Sequence, residues 1–149
     1  INLKLVIAGK TGWSTDNIFS MAEDYKDHIF FTGFVDDEDL AYLYSSALAM
    51  SYMSFYEGFG LPPLEAMCCG TPIIYGNNSS LIEVVCDGGL PADPHDVNDI
   101  KTQYERIFYD TGLRDRTAKA ALKQSLKFSW RDTAIETLGL YKRIIDDNV

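Results

Sequence analysis

Short apolar runs alternate with amphipathic stretches from the start of the chain to Ala92. Leu3-Lys4-Leu5-Val6-Ile7-Ala8 predicts a strand ended by Gly9. Ser14 to Lys26 predicts a helix, with Ser14 or Thr15 as its cap and Ile18, Met21, Ala22 and Tyr25 along one face. Ile29-Phe30-Phe31-Thr32 is the next apolar run. Asp36 or Asp37 caps the helix behind it, whose Leu40, Leu43, Tyr44 and Ala47 share a face. Ala47 to Tyr52 predicts a strand, and a helix starts near Pro62, where a missing N–H costs nothing. Gly70 and Pro72 end that helix, and Pro72 to Tyr75 predicts a further strand. Ser80 and Glu83 stand at capping-box spacing and open a short helix, and Gly89 to Ala92 gives a last, short strand.

From Asp96 the periodicity is helical throughout. Val97, Ile100, Tyr104, Ile107 and Phe108 form one stripe, stopped by Gly112. A second helix runs from Leu113 to Phe128, and a third begins at Trp130 with Ala134, Leu138, Tyr141 and Ile145 at helical spacing. Alternating strands and helices with apolar strands imply an α/β fold, a Rossmann-like parallel sheet with helices on both faces, followed by a helical C-terminal segment. The expected organisation is one domain over 1–149, with the sheet in 1–95 and the added helices in 96–149. A chain of 149 residues can bury roughly two-thirds of its unfolded surface, enough for a real core. Ligands of such sheets bind beyond the carboxyl ends of the strands.

A net charge of −9 argues against nucleic acid or anionic lipid as partners, since neutralising phosphates takes clustered Lys and Arg. One bound nucleotide needs only local donors and stays open. No apolar run approaches a membrane span, and Ile1 to Ala8 lacks the flanks of a signal peptide, so the expected location is the cytoplasm. Cys68, Cys69 and Cys86 form no metal-binding pattern and read as reduced, buried thiols. His28 and His95 read as surface-turn residues rather than metal ligands, and no metal is expected. Gly9-Lys10-Thr11 superficially suggests a phosphate-binding loop, but Lys4 stands where that motif needs a further glycine, so a strand-end turn is the better reading. Lys10 could still reach an anion.

The chemistry concentrates between Ser54 and Met67. Glu57 and Glu65 lie eight positions apart, with Gly58-Phe59-Gly60 and Pro62-Pro63 between them. Glycines let backbone amides approach a ligand, and a loop of amides running into a helix N-terminus suits an anion. Glu in a first helical turn is common for dipole reasons alone, so neither carboxylate signals function by itself. Together around an anion site they point to a second ligand group, such as hydroxyls. A sugar joined to a nucleotide diphosphate offers both.

The run Glu57-Gly58-Phe59-Gly60-Leu61-Pro62-Pro63-Leu64-Glu65-Ala66-Met67, followed by Gly70-Thr71-Pro72-Ile73-Ile74, resembles the signature of retaining glycosyltransferases of the GT-B fold, glycosyltransferase family 4 (glycosyl transferases group 1). Phe31-Thr32-Gly33-Phe34-Val35-Asp36-Asp37 resembles an upstream element of the same family. The resemblance implies the C-terminal, donor-binding half of a GT-B enzyme that takes a nucleotide-diphosphate sugar and retains configuration without a metal. It implies that Glu57 is catalytic, binding the sugar hydroxyls and orienting the anomeric carbon. Gly58, Phe59, Gly60 and Leu61 would then line the donor site, Glu65 accept from the ribose hydroxyls, and Val35 touch the base. A sugar or lipid-linked acceptor is expected on an N-terminal domain that this stretch does not contain, and the full enzyme would serve polysaccharide biosynthesis at the cytoplasmic face of the membrane. The family's first, central strand and its basic clamp are also not in this stretch. Activity of these residues alone is therefore not expected, and a second chain, a swapped strand or a homo-oligomer is expected to fill the slot. Alternatives of other kinds are a nucleotide-sugar binding or epimerase-type domain, a glycoside hydrolase, which needs no amide-rich loop between its acids, and an inactive subunit that kept the donor half.

Overall fold

A computed structural model describes residues 3–10, 12 and 16–146. The expected helix caps Ser14 and Thr15 lie outside the described residues. The strands are β1 Leu5–Ala8, β2 Ile29–Gly33, β3 Met50–Tyr52, β4 Ile73–Gly76 and β5 Gly89–Ala92. The helices are α1 Asp16–Glu23, α2 Asp37–Ser46, α3 Leu61–Cys68, α4 Leu81–Val85, α5 Val97–Tyr109, α6 Thr111–Ser125 and α7 Trp130–Asp146, with a 3-10 turn at Cys86–Gly88. The chain divides into two compact units, Ile1–Tyr42 and Leu43–Val149. The strands are parallel, as the alternation predicts, but their hydrogen bonds form two sheets, β1-β2 and β3-β4-β5.

The first unit holds the two-stranded sheet. Leu5 pairs with Ile29 and Ile7 with Phe31, and the register shifts at Ala8, which pairs with Gly33. Its apolar side chains are thinly covered: Leu5, Val6, Phe30 and Phe31 are all exposed, and Ala22 of α1 is its buried hydrophobic residue. Phe19 packs on Phe31 with ring centroids 4.6 Å apart, and the Lys10 ammonium lies 5.3 Å from the Phe34 ring centroid.

The second unit carries the core. β4 is its central strand, and all of Ile73, Ile74, Tyr75 and Gly76 are buried, as expected for a parallel strand covered on both faces. Successive side chains of a strand point to opposite faces. Ile73 and Tyr75 accordingly join Ala66, Met67, Leu81, Val85 and Ala121, while Ile74 joins Leu90 and Ile107. α6 packs on α3 and on the 3-10 turn, where Gly88 faces Ala121. No residue of α7 is buried. Among the described residues no helix is long and apolar enough to cross a membrane.

Three local expectations are corrected. α5 stops at Asp110, not at Gly112; the Asp110 carboxylate accepts from the Leu113 N–H at 2.7 Å and starts α6 at Thr111, which places Gly112 in its first turn. An Asp that ends one helix and caps the next overrides a nearby glycine. The strand expected from Ala47 begins only at Met50, because the Ala47 N–H bonds back to the Tyr44 carbonyl and closes α2 with a turn. Cys68 and Cys86 are exposed rather than buried, and Cys69 is half-buried.

Candidate active site

The loop between β3 and α3 leaves the carboxyl end of its strand, where ligands of parallel sheets bind. It is strapped to the turn that follows β4. Asn78 Nδ2 donates to the Ser54 carbonyl at 2.8 Å, and the Glu57 N–H donates to Ser79 Oγ at 3.0 Å. Ser80 Oγ lies 3.0 Å from each of the Glu57 and Phe59 carbonyls and donates to them. The expected capping box is therefore absent: the Ser80 hydroxyl makes no cap bond to α4, because it is taken up by the neighbouring loop. Sequence reading had missed Asn78, Ser79 and Ser80 as parts of the site. The cluster Asn77-Asn78-Ser79-Ser80 did carry a signal, since short polar side chains of this kind bond to nearby backbone.

Gly60 turns the loop into α3. It sits in the left-handed region at φ 102°, and a Cβ there would lie 2.7 Å from Leu81 Cδ2. We expect Gly60→Ala to cost about 1–3 kcal/mol in a denaturant titration and to weaken ligand binding by distorting the loop. Unchanged stability and binding would show that the corner is not strained.

Among the described residues, none accepts a hydrogen bond from the backbone N–H groups of Gly58, Phe59, Gly60 or Leu61. Pro62 and Pro63 follow and have no N–H to give. The helix end thus supplies one donor, Leu61, and the loop before it supplies the rest. At Gly58 an added Cβ would meet nothing within 4 Å. The space beside Gly58 is open, and no packing contact demands a glycine there.

Each carboxylate is held by a tyrosine. Tyr52, the last residue of β3, donates its phenol to Glu57 Oε1 at 3.0 Å. Tyr44 on α2 donates to Glu65 Oε2 at 3.3 Å, and its own carbonyl accepts from Thr71 Oγ1 at 2.7 Å. Burial first, then the neighbouring Glu65, pushes the Tyr44 phenol up to about 12. Burial and the bond to Glu57 raise Tyr52 as well. Both stay protonated donors at neutral pH.

Two clefts border the loop. One, of about 350 Å³, is apolar and lies between Phe59, Leu61 and Leu64 on one side and Phe128, Trp130 and Thr133 on the other; Phe59 meets Phe128 edge-on at 5.7 Å. The other, of about 300 Å³, has a mixed lining of Asn77, Asn78, Asp93 and Pro94, with the Phe55 ring stacked on His95 at 4.6 Å. Glu57, Gly58, Phe59 and Gly60 follow one another along the loop into α3, which Leu61 opens, and Glu65 lies further along that helix. Val35 belongs to the first unit, in the segment that joins β2 to α2, and is half-buried.

Residues 1–124 match the family of glycosyl transferases group 1. An O-antigen chain mannosyltransferase B from Escherichia coli is 42% identical over 140 residues, which is 93% of this chain and 37% of that protein. The chain thus spans little more than a third of that relative's length. Sucrose-phosphate synthase from Thermosynechococcus elongatus superposes with a TM-score of 0.87 at 29% identity, over 97% of this chain and 39% of that one. Anabaena Alr3699/HepE, solved in complex with UDP and glucose, superposes at 0.78 with 19% identity over 91% of this chain and 40% of that one, a likeness of fold. The chain belongs to the glycosyl transferases group 1 family and has the fold of GT-B glycosyltransferases.

Proposed function

We propose that this chain is the donor-binding part of a retaining glycosyltransferase that takes a sugar, read here as mannose, from a nucleotide diphosphate and passes it to an acceptor held elsewhere in the protein. The observation that carries the reading is the row of unaccepted amides from Gly58 to Leu61 with a tyrosine-held carboxylate on either side of it in the sequence. The amides and the positive end of α3 bind the diphosphate and stabilise the charge that grows on it as the glycosidic bond breaks. Glu57 accepts from the sugar hydroxyls and fixes the anomeric carbon. Glu65 accepts from the ribose hydroxyls. The amides take the place of a metal in this scheme, and the reaction runs on the cytoplasmic side. The Escherichia coli relative's name supports mannose, and the UDP complex of the Anabaena protein supports a nucleotide-linked donor.

Calorimetry on the intact natural polypeptide tests this. UDP, GDP and ADP, and their mannose and glucose conjugates, are titrated in turn. One nucleoside diphosphate should bind, and Glu65→Ala should weaken it about tenfold through the lost ribose contact. If no nucleoside diphosphate binds at millimolar concentration, the reading fails.

A further inference from the structure

The bracing of Glu57 goes further than ligand binding alone requires. Its N–H is held by Ser79 and its carbonyl by Ser80, both on the turn after β4. Its side chain is held from a third place, β3, through the Tyr52 phenol. Tyr52 in turn is not free to follow a moving loop. It pairs in register with Tyr75 on the buried central strand and packs against the cluster around Met67 and Leu81. A loop carboxylate is thus pinned from a rigid strand, which is the support a reacting constellation needs if its geometry is to hold within a fraction of an ångström.

We propose that Tyr52 is a positioning residue: by occupying Oε1 of Glu57 it leaves Oε2 as the oxygen presented to the donor sugar. An ionised carboxylate has two oxygens and several lone-pair directions, so an unpinned glutamate would offer the sugar many arrangements. Fixing one oxygen removes most of them before the ligand arrives. The side-chain ordering is then already done when the sugar binds. Burial and the bond to Glu57 make the Tyr52 phenol harder to ionise, which fits this role, since a phenol that stays neutral stays a donor. Among the described residues Tyr52 is the one side-chain partner of the Glu57 carboxylate. Tyr44 holds Glu65 in the same manner but over a longer 3.3 Å and on an exposed carboxylate, so it fixes that carboxylate less firmly.

The proposal rests on the reading of Glu57 as the sugar-binding acid, and the test separates the two. Tyr52→Phe keeps the ring that packs on the core and removes only the hydroxyl. It is compared with Glu57→Gln and with the double variant, all in the intact natural polypeptide, with thermal melting confirming that each is folded. Tyr52→Phe should lower kcat about tenfold, leave the affinity for the sugar-free nucleoside diphosphate within about twofold, and change nothing further when added to Glu57→Gln, because a residue that acts through Glu57 has no separate route. Losses that multiply in the double variant, equal losses for the sugar-free nucleotide, or wild-type kcat in Tyr52→Phe while Glu57→Gln is impaired would each overturn the positioning role. Wild-type kcat in Glu57→Gln itself would instead remove the reading of Glu57 on which it stands.

Discussion

Glu57→Ala lowers the rate of sugar transfer by about a hundredfold or more while the protein stays folded. A hydrogen bond to a charged group is worth roughly 1.5–3 kcal/mol, and on the proposed role, in which the Glu57 carboxylate binds and orients the sugar, its removal costs at least one such bond in the transition state. The argument that folding survives comes from what holds the loop. The Ser79 and Ser80 hydroxyls bond to the backbone of residue 57, not to its side chain, and Asn78 bonds to the Ser54 carbonyl. All these contacts remain in the alanine variant. Among the described residues the side chain itself bonds only to Tyr52, whose half-buried phenol can turn to water. The measurement is transfer by the intact natural polypeptide, with a melting curve alongside. Transfer at the wild-type rate would remove Glu57 from the mechanism, and a lost melting transition would show that the carboxylate holds the loop after all.

Much of this site was legible in the sequence because its local chemistry is punctuated. Glycines and prolines mark the corner between Glu57 and Glu65. The strands were legible for a related reason: Ile73-Ile74-Tyr75 reads as an unbroken apolar run because both its faces are covered. What could not be read were contacts between segments far apart in the chain. Ser80 stands where a capping box predicts it, yet its hydroxyl crosses to the Glu57 loop, a choice set by tertiary proximity rather than local spacing. Tyr44 and Tyr52 looked like ordinary apolar-face residues. Their ring positions follow periodicity, but the reach of each hydroxyl to a carboxylate on another element does not. Phe128 and Trp130 mark a helix end and a helix start in the sequence, and only the fold sets them across a cleft from Phe59. The split of the strands into two sheets has no local signal at all, since parallel pairing is decided by which strands meet and not by their own composition.

The corner and the core depend on one another through β4. That strand supplies Ile73, Ile74 and Tyr75 to the interior and then runs on into the Asn78-Ser79-Ser80 strap that holds Glu57. Tyr52 gains its rigidity by pairing with the same strand. A ligand gripped by the loop is therefore gripped by the best-buried element of the unit, and a change that shifts β4 should be felt at both places.

Gly89→Ala should be such a change. Gly89 opens β5 with an extended backbone at φ −157°, so the residue is not needed for an unusual dihedral. It is needed for space. A Cβ there would lie 2.4 Å from the Ile73 carbonyl oxygen and 2.7 Å from Val85 Cγ1. The first of these is backbone of the strand that pairs with it, Ile73 opposite Gly89, and cannot move without moving β4. Overpacking of a core costs 1–3 kcal/mol where side chains can give way; here backbone must shift, and about 3 kcal/mol or more is expected. Over 149 residues melting together that lowers the melting temperature by about 10 °C. Gly58→Ala serves as the control, since an added Cβ there meets nothing and should leave the melting temperature unchanged. Calorimetric melting of the two variants settles the matter. Equal melting temperatures would mean that β5 can slide away from β4 at little cost, and the link between the central strand and the strapped loop would then carry no weight.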